Sequence, residues 1–175
     1  MTVRETPLKD LYLLKPRVFS DDRGYFFESY NKTSAKGTPL EEYHWVQDNE
    51  SQSAKGVLRG LHFQKGESSQ AKLVRVISGK VFDVAVDLRA HSPSFGKWFG
   101  TILSSEDKMQ MLIPRGFAHG FLVLSEQATF IYKCDAPYNR ESEAGIMYNY
   151  HNIGIEWTDT LAELTISEKD RNLDF

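Results

Sequence analysis

The chain has 175 residues, enough for one domain with a proper hydrophobic core. A formal charge of −3 and a pI near 6.0 exclude a generally basic, nucleic-acid-binding surface, though not a local basic pocket for one phosphorylated ligand. With one cysteine, Cys134, no secretory apolar segment and no run long enough to span a bilayer, the expectation is a reducing, cytoplasmic setting with no membrane partner.

In chain order, residues 3–18 show short apolar runs broken by Pro7 and Pro16, which predicts one or two short strands. Asp21-Asp22-Arg23-Gly24 reads as a turn, because Asp starts turns and Gly accepts positive φ. The aromatic run Tyr25-Phe26-Phe27 then reads as a strand. Residues 31–40 are polar, hold Gly37 and Pro39, and read as a loop with at most one helical turn. Residues 44–49 read as extended, and 48–55 as a polar loop.

That loop leads into Val57-Leu58-Arg59-Gly60-Leu61-His62-Phe63-Gln64, whose alternation is that of a two-faced strand. Strict alternation puts Val57, Arg59, Leu61 and Phe63 on one face and Leu58, Gly60, His62 and Gln64 on the other. Neither face is purely apolar. Either the strand borders a wet cavity, or its polar groups are satisfied inside a core; an edge strand with one solvated face is the ordinary alternative. Gly56 and Gly60 let another backbone or a ligand approach closely.

Residues 72–89 read as the clearest hairpin, with arms 72–77 and 80–88 about Ser78-Gly79. Phe82, Val84, Val86 and Leu88 share one face of the second arm. Val81, Asp83, Ala85 and Asp87 share the other, so the two acids are either solvated or drawn into an interior role. Further strands are expected at 96–103 and 108–113, and a strand pair at 121–123 and 129–133. Short helical turns are expected at 159–164 and 167–171, with Asp159 and Ser167 as caps. Many short strands at regular spacing predict an all-β antiparallel barrel or jelly roll.

There are five histidines. None has a second His two positions away with an acid close behind, so the ligand set for a first-row metal is thin and no metal is expected. Without a metal, His62 can act as a base, since imidazole titrates near working pH. It would need a carboxylate to orient it, and Asp83, Asp87 and Asp170 are the candidates. A satisfied core histidine is the alternative for a lone His. Ile113-Pro114-Arg115-Gly116-Phe117-Ala118-His119-Gly120-Phe121 repeats the theme of glycine and a lone His among apolar residues. Cys134 follows an aromatic strand and reads as a small packed residue rather than a nucleophile.

Taken with Arg-Gly-Leu-His-Phe-Gln, that block closely resembles the dTDP-4-dehydrorhamnose 3,5-epimerase family. Separated blocks match in order from Phe19 to Asp170. The resemblance implies a cupin-type jelly roll, the double-stranded β-helix, with short C-terminal helical turns in a single domain over 1–175. It implies a homodimer whose N-terminal strands pack on the partner, and no cofactor. The reaction implied is epimerisation at C3 and C5 of dTDP-4-dehydro-6-deoxy-D-glucose, through an enolate on the C4 oxygen. His62 would be the base and Asp170 its partner. Lys72, in Gln-Ala-Lys-Leu-Val, would stabilise the enolate, and Tyr132, in Phe-Ile-Tyr-Lys, would return the proton from the opposite face. Substrate would be held by Arg23, Phe26, Glu28, Gln47, Asp48, Asn49, Arg59, His119, Tyr138, Glu143 and Lys169. Within that set Arg23 and Arg59 would grip the pyrophosphate and Tyr138 would stack on thymine.

Departures from the family pattern are mild, with Ser94 where Thr is frequent and Phe63 where Tyr is frequent. Alternatives are a mono-epimerase of a related dTDP-4-keto sugar, a non-catalytic sugar-nucleotide-binding cupin, and a metal-dependent oxygenase disfavoured by the missing ligand pair.

Overall fold

The computed structural model describes residues 1–157 and 163–173. The turn expected at 159–164, with its cap Asp159, falls largely outside that set.

The chain opens with β1 (Thr2–Glu5) and β2 (Tyr12–Lys15), then a small hairpin of β3 (Phe19–Asp21) and β4 (Gly24–Phe26). Next come β5 (Gln47–Ala54), β6 (Val57–Gln64), β7 (Lys72–Ser78) and β8 (Lys80–Asp87). β9 (Trp98–Ser104), β10 (Gln110–Ile113), β11 (Phe117–Val123) and β12 (Gln127–Cys134) complete the body. Short β13 (Glu143–Gly145) and β14 (Thr165–Ile166) precede helix α1 (Glu168–Arg171), which Ser167 caps as expected by accepting from the Asp170 N–H.

One sheet has the order β1-β2-β10-β7-β12-β5 and the other β13-β6-β11-β8-β9. Packed face to face, they form the expected jelly roll. The core between them is built from inward-facing positions of both sheets: Leu13, Val74, Val76, Met111 and Phe130 from one, Val81, Ala85, Leu103, Phe121 and Val123 from the other. Burying Phe130 fully contributes roughly 1.5–3 kcal/mol. A second cluster, with Leu58, Leu61, Val84 and Leu122, lies on the outer face of the second sheet.

Three readings of the sequence change. β7 and β8 are not a hairpin: they lie in different sheets, and Gly79 (φ +80°) carries the chain from one to the other. The pair expected at 121–123 and 129–133 is split in the same way, β11 in one sheet and β12 in the other. In a two-sheet fold a tight turn can join layers as readily as neighbours, and sequence does not tell the two apart. The third concerns residues 48–55, read as a loop. β5 pairs with β12 along its whole length. It lacks apolar residues because its part-buried positions face a polar cavity and the alternate ones face solvent.

A fourth correction decides the site. β11 pairs His119 with His62 but Phe121 with Arg59, so two steps on β11 match three on β6. The extra residue is a β-bulge. It reverses the alternation midway: Leu58 and Leu61 both enter the outer cluster, while Arg59 and His62 both line the cavity between the sheets. Gly60 sits in the bulge at φ +119°, with Gly120 facing it. A Cβ on Gly60 would stand 2.6 Å from the Gly120 Cα and 2.8 Å from the His119 carbonyl oxygen.

Gly60→Ala is therefore expected to destabilise by roughly 1–3 kcal/mol, the usual cost of a strained backbone conformation. Thermal unfolding monitored by circular dichroism should show a midpoint lower by several degrees; an unchanged midpoint would mean the bulge tolerates a side chain.

Candidate active site

The inward face of each central strand passes from core to cavity along its length. On β7, Val76 and Val74 are core and Lys72 lines the cavity; on β12, Ala128 and Phe130 give way to Tyr132 and Cys134. β5 adds Gln47, Asn49 and Ser51, β6 adds Arg59 and His62, and β11 adds His119. The space enclosed is about 420 Å³, within the ~300–1,000 Å³ usual for a small-molecule site.

At its centre His62 Nε2 lies 2.8 Å from Asp170 Oδ1. The other carboxylate oxygen accepts the Gly60 N–H at 3.1 Å. Burial alone would raise the Asp170 carboxyl, but these bonds hold it below the ordinary carboxylate value. Of the three carboxylates open in the sequence, Asp170 is thus the one beside His62. Asp83 instead meets His119 Nε2 at 3.0 and 3.1 Å. Asp87 binds Arg89, Ser92 and Ser94 and is held down to about 2; there Ser94 donates at 2.6 Å, a bond that a Thr hydroxyl would also make.

Lys72 is partly exposed to the cavity. Desolvation pulls its ammonium below the usual lysine value, opposed by Cys134, Asp83 and Glu143. Its Nζ is 5.7 Å from the centre of the Tyr132 ring. Burial raises the Tyr132 phenol, with Cys134 adding to the rise and Arg59 opposing it, so the hydroxyl keeps its proton. Burial likewise pushes the Cys134 thiol up to about 11, which suits a packed residue. Arg59 is steadied by a bond from Nε to Ser53 Oγ at 2.9 Å, a contact its motif does not disclose.

At the mouth, Glu143 accepts from Lys169 at 2.6 Å and from the Tyr138 hydroxyl at 3.0 Å. Gln47 accepts the Tyr138 N–H at 2.9 Å. The Tyr138 side chain is half-exposed, so its ring is available for stacking. Other expected site residues stand elsewhere. Asp48 points away from the cavity to pair with Lys133 at 2.8 Å. Arg23 pairs with Asp21, Phe26 is 67% exposed, and Glu28 binds Asn31 and Ser34; none of the three lines the cavity. Among the described residues, no three His, Cys, Asp or Glu side chains gather as a metal cage.

Comparison with known proteins bears directly on this arrangement. The family model for dTDP-4-dehydrorhamnose 3,5-epimerase matches residues 5–175. The chain belongs to that family. It is 52% identical over 173 residues to the dTDP-4-dehydrorhamnose 3,5-epimerase of Escherichia coli K12, covering 99% of this chain and 93% of that one. The epimerase from Elizabethkingia anophelis has a crystal structure at TM-score 0.92 and 53% identity, covering 99% and 94% of the two chains. The dTDP-6-deoxy-D-glucose-3,5-epimerase of Legionella pneumophila, solved with dTDP-4-keto-L-rhamnose, superposes at TM-score 0.94 with 45% identity, covering 98% and 90%. Family membership makes the chain an isomerase and removes the non-catalytic and oxygenase readings.

The Asp170 contacts carry a pH dependence. A carboxyl depressed by folding adds stability above its unfolded value, about 3.9, and loses it as pH falls through the lower folded value. Urea unfolding of wild type and Asp170→Asn should therefore differ most near neutral pH and converge in acid. A gap that does not change with pH would show that Asp170 is not ionised in the fold.

Proposed function

We propose that the chain epimerises dTDP-4-dehydro-6-deoxy-D-glucose at C3 and C5, giving dTDP-4-dehydro-L-rhamnose, without a metal or other cofactor. The observation that carries the reading is the His62–Asp170 contact at 2.8 Å, on a cavity also lined by Lys72 and Tyr132. The Asp170 carboxylate accepts from Nε2–H, which leaves Nδ1 as the free base. The C4 carbonyl acidifies the C–H bonds on both flanking carbons. His62 removes a proton and charge moves to the C4 oxygen, where the Lys72 ammonium stabilises it. Tyr132, a phenol that keeps its proton, returns a proton from the opposite face. Arg59 holds the pyrophosphate and Tyr138 stacks on thymine.

The reading includes a homodimer, with Arg23, Phe26 and Glu28 supplied to the cavity by the partner's N-terminal segment. Its support is the β3–β4 hairpin, in which every residue is exposed, with Phe19 at 50%, Tyr25 at 58% and Phe26 at 67%. Isolated exposed aromatics need no explanation, but a hairpin presenting three of them beside Arg23 suits a protein surface. The reading also places the enzyme in the cytoplasm, on the strength of its single cysteine.

Two experiments test these roles. In deuterated water the wild type should incorporate deuterium at C3 and C5 and yield inverted product, followed by NMR and a coupled reductase. Tyr132→Phe should still exchange ring protons while making little inverted product, because only the acid is lost. Loss of exchange together with inversion would show Tyr132 to be needed for binding or enolate formation, and persistent inversion would assign the acid to another group.

Inactive Arg23→Ala and inactive His62→Ala chains, unfolded and refolded together, should regain part of the activity, since a mixed dimer carries one intact site. No recovery in chains shown by mass to be mixed would confine each site to one protomer.

A further inference from the structure

Asp83 has no part in the mechanism above, yet its position is a costly one. It is completely buried on β8, on the same face as Val81 and Ala85, which belong to the central core. Its β-sheet neighbours are Phe121 on β11 and Thr101 on β9. A carboxylate taken out of water among apolar side chains carries a large desolvation cost, and an aliphatic residue would fit the face as well. A buried acid of this kind beside a cavity is a mark of function rather than of packing.

Both oxygens of Asp83 lie within 3.1 Å of His119 Nε2. His119 stands directly across the β6–β11 pairing from His62, so the cavity wall carries two histidine–carboxylate pairs side by side. The His119 ring stacks on Phe130 at 5.9 Å, which limits its rotation. The charged or titratable groups facing Lys72 are Asp83 of β8, His119 of β11, Cys134 and Tyr132 of β12 and Glu143 of β13. Those facing His119 are Asp83, Lys72 and His62. Within this group Asp83 is the fully buried carboxyl.

We infer that Asp83 is a positioning residue for the reaction: its carboxylate holds His119 in the Nε2–H tautomer and supplies the buried negative charge that keeps the Lys72 ammonium in the cavity. With Nε2–H committed to Asp83, the Nδ1 of His119 presents a lone pair and no proton. His119 then cannot compete with Tyr132 as a proton donor, and the enolate oxygen is left to the Lys72 ammonium, Arg59 being engaged with the pyrophosphate in the proposed reading. Burial drives His119 towards its neutral form and outweighs the Asp83 carboxylate, which favours the protonated ring; the Lys72 charge acts in the same direction as burial. The same Lys72 charge opposes the rise that burial imposes on Asp83. The inference rests on the reading of Lys72 as the enolate stabiliser.

Asp83→Asn isolates the charge, because Asn Oδ1 can still accept from His119 Nε2–H. The variant should bind dTDP with unchanged affinity in calorimetry and turn over the 4-keto sugar roughly 10- to 100-fold more slowly, the scale of lost outer-shell partners. Losing a nearby negative charge lowers the pKa of Lys72, so the alkaline limb of kcat should move to lower pH. In wild-type protein labelled with 15N-histidine, His119 should show a protonated Nε2 and an unprotonated Nδ1 across the active pH range. A variant with wild-type kcat and alkaline limb, or one slowed with no movement of the limb, would overturn the inference. So would an Nδ1–H or doubly protonated His119 in the wild type, a measurement that decides even where the variant fails to fold. Failure of the wild type itself to turn over the sugar would sink the proposed function instead, with the His119 tautomer still deciding the Asp83–His119 relation.

Discussion

The site depends on one extra residue in β6. The bulge at Gly60 turns the strand by one position, so that Arg59 and His62, three apart, look into the same cavity. On a regular strand one of them would point into the outer apolar cluster with Leu58 and Leu61. The bulge also presents the Gly60 N–H to Asp170 at 3.1 Å, the carboxylate that orients His62. One backbone irregularity thus selects the face, frees a donor and ties α1 to the sheet. Gly120 on β11 completes the device, since its missing side chain leaves room for Gly60 to approach.

Around that point the protein accepts a concentration of polar groups that its fold alone does not need. Lys72, Asp83, His119 and Asp170 are withdrawn from bulk solvent to varying degrees, and desolvation acts on each against its charged form. Three of the four are tolerable because they come with partners: Asp170 with His62, and Asp83 with His119. The apolar core that offsets their cost lies further along the same strands. Val74 and Val76 follow Lys72, and Phe130 precedes Tyr132. The packed end of the sandwich thus supports the end that carries the cavity.

The mouth of the cavity is built differently. Tyr138, Glu143, Gln47 and Lys169 come from β5, a loop, β13 and α1, joined by side-chain bonds rather than by a continuous ladder. Glu143 joins the Tyr138 ring to Lys169, and Lys169 precedes Asp170 on the helix. Tyr138 is thus linked, through the single acidic side chain of Glu143, to the short helix that carries the carboxylate behind His62.

Much of this was legible in the sequence, and the boundary has a physical cause. The all-β class follows from short strands with regular turns, and blocks such as Arg59 to Gln64 carried the family resemblance that nominated Arg59 and His62, both of which line the cavity. The capping of α1 by Ser167 is equally local. What no local pattern could decide was relative placement. β7 and β8 alternate like the arms of a hairpin whether they pair or part to separate sheets, and β5 reads as a loop because a strand between water and a wet cavity carries no apolar stripe. The bulge is invisible because alternation is counted along one strand, whereas register is set by the partner strand. The pairing of carboxylate with histidine, across 108 residues for Asp170 and 36 for Asp83, is likewise a product of the tertiary structure, for only the packed sheets bring such distant groups within hydrogen-bond reach.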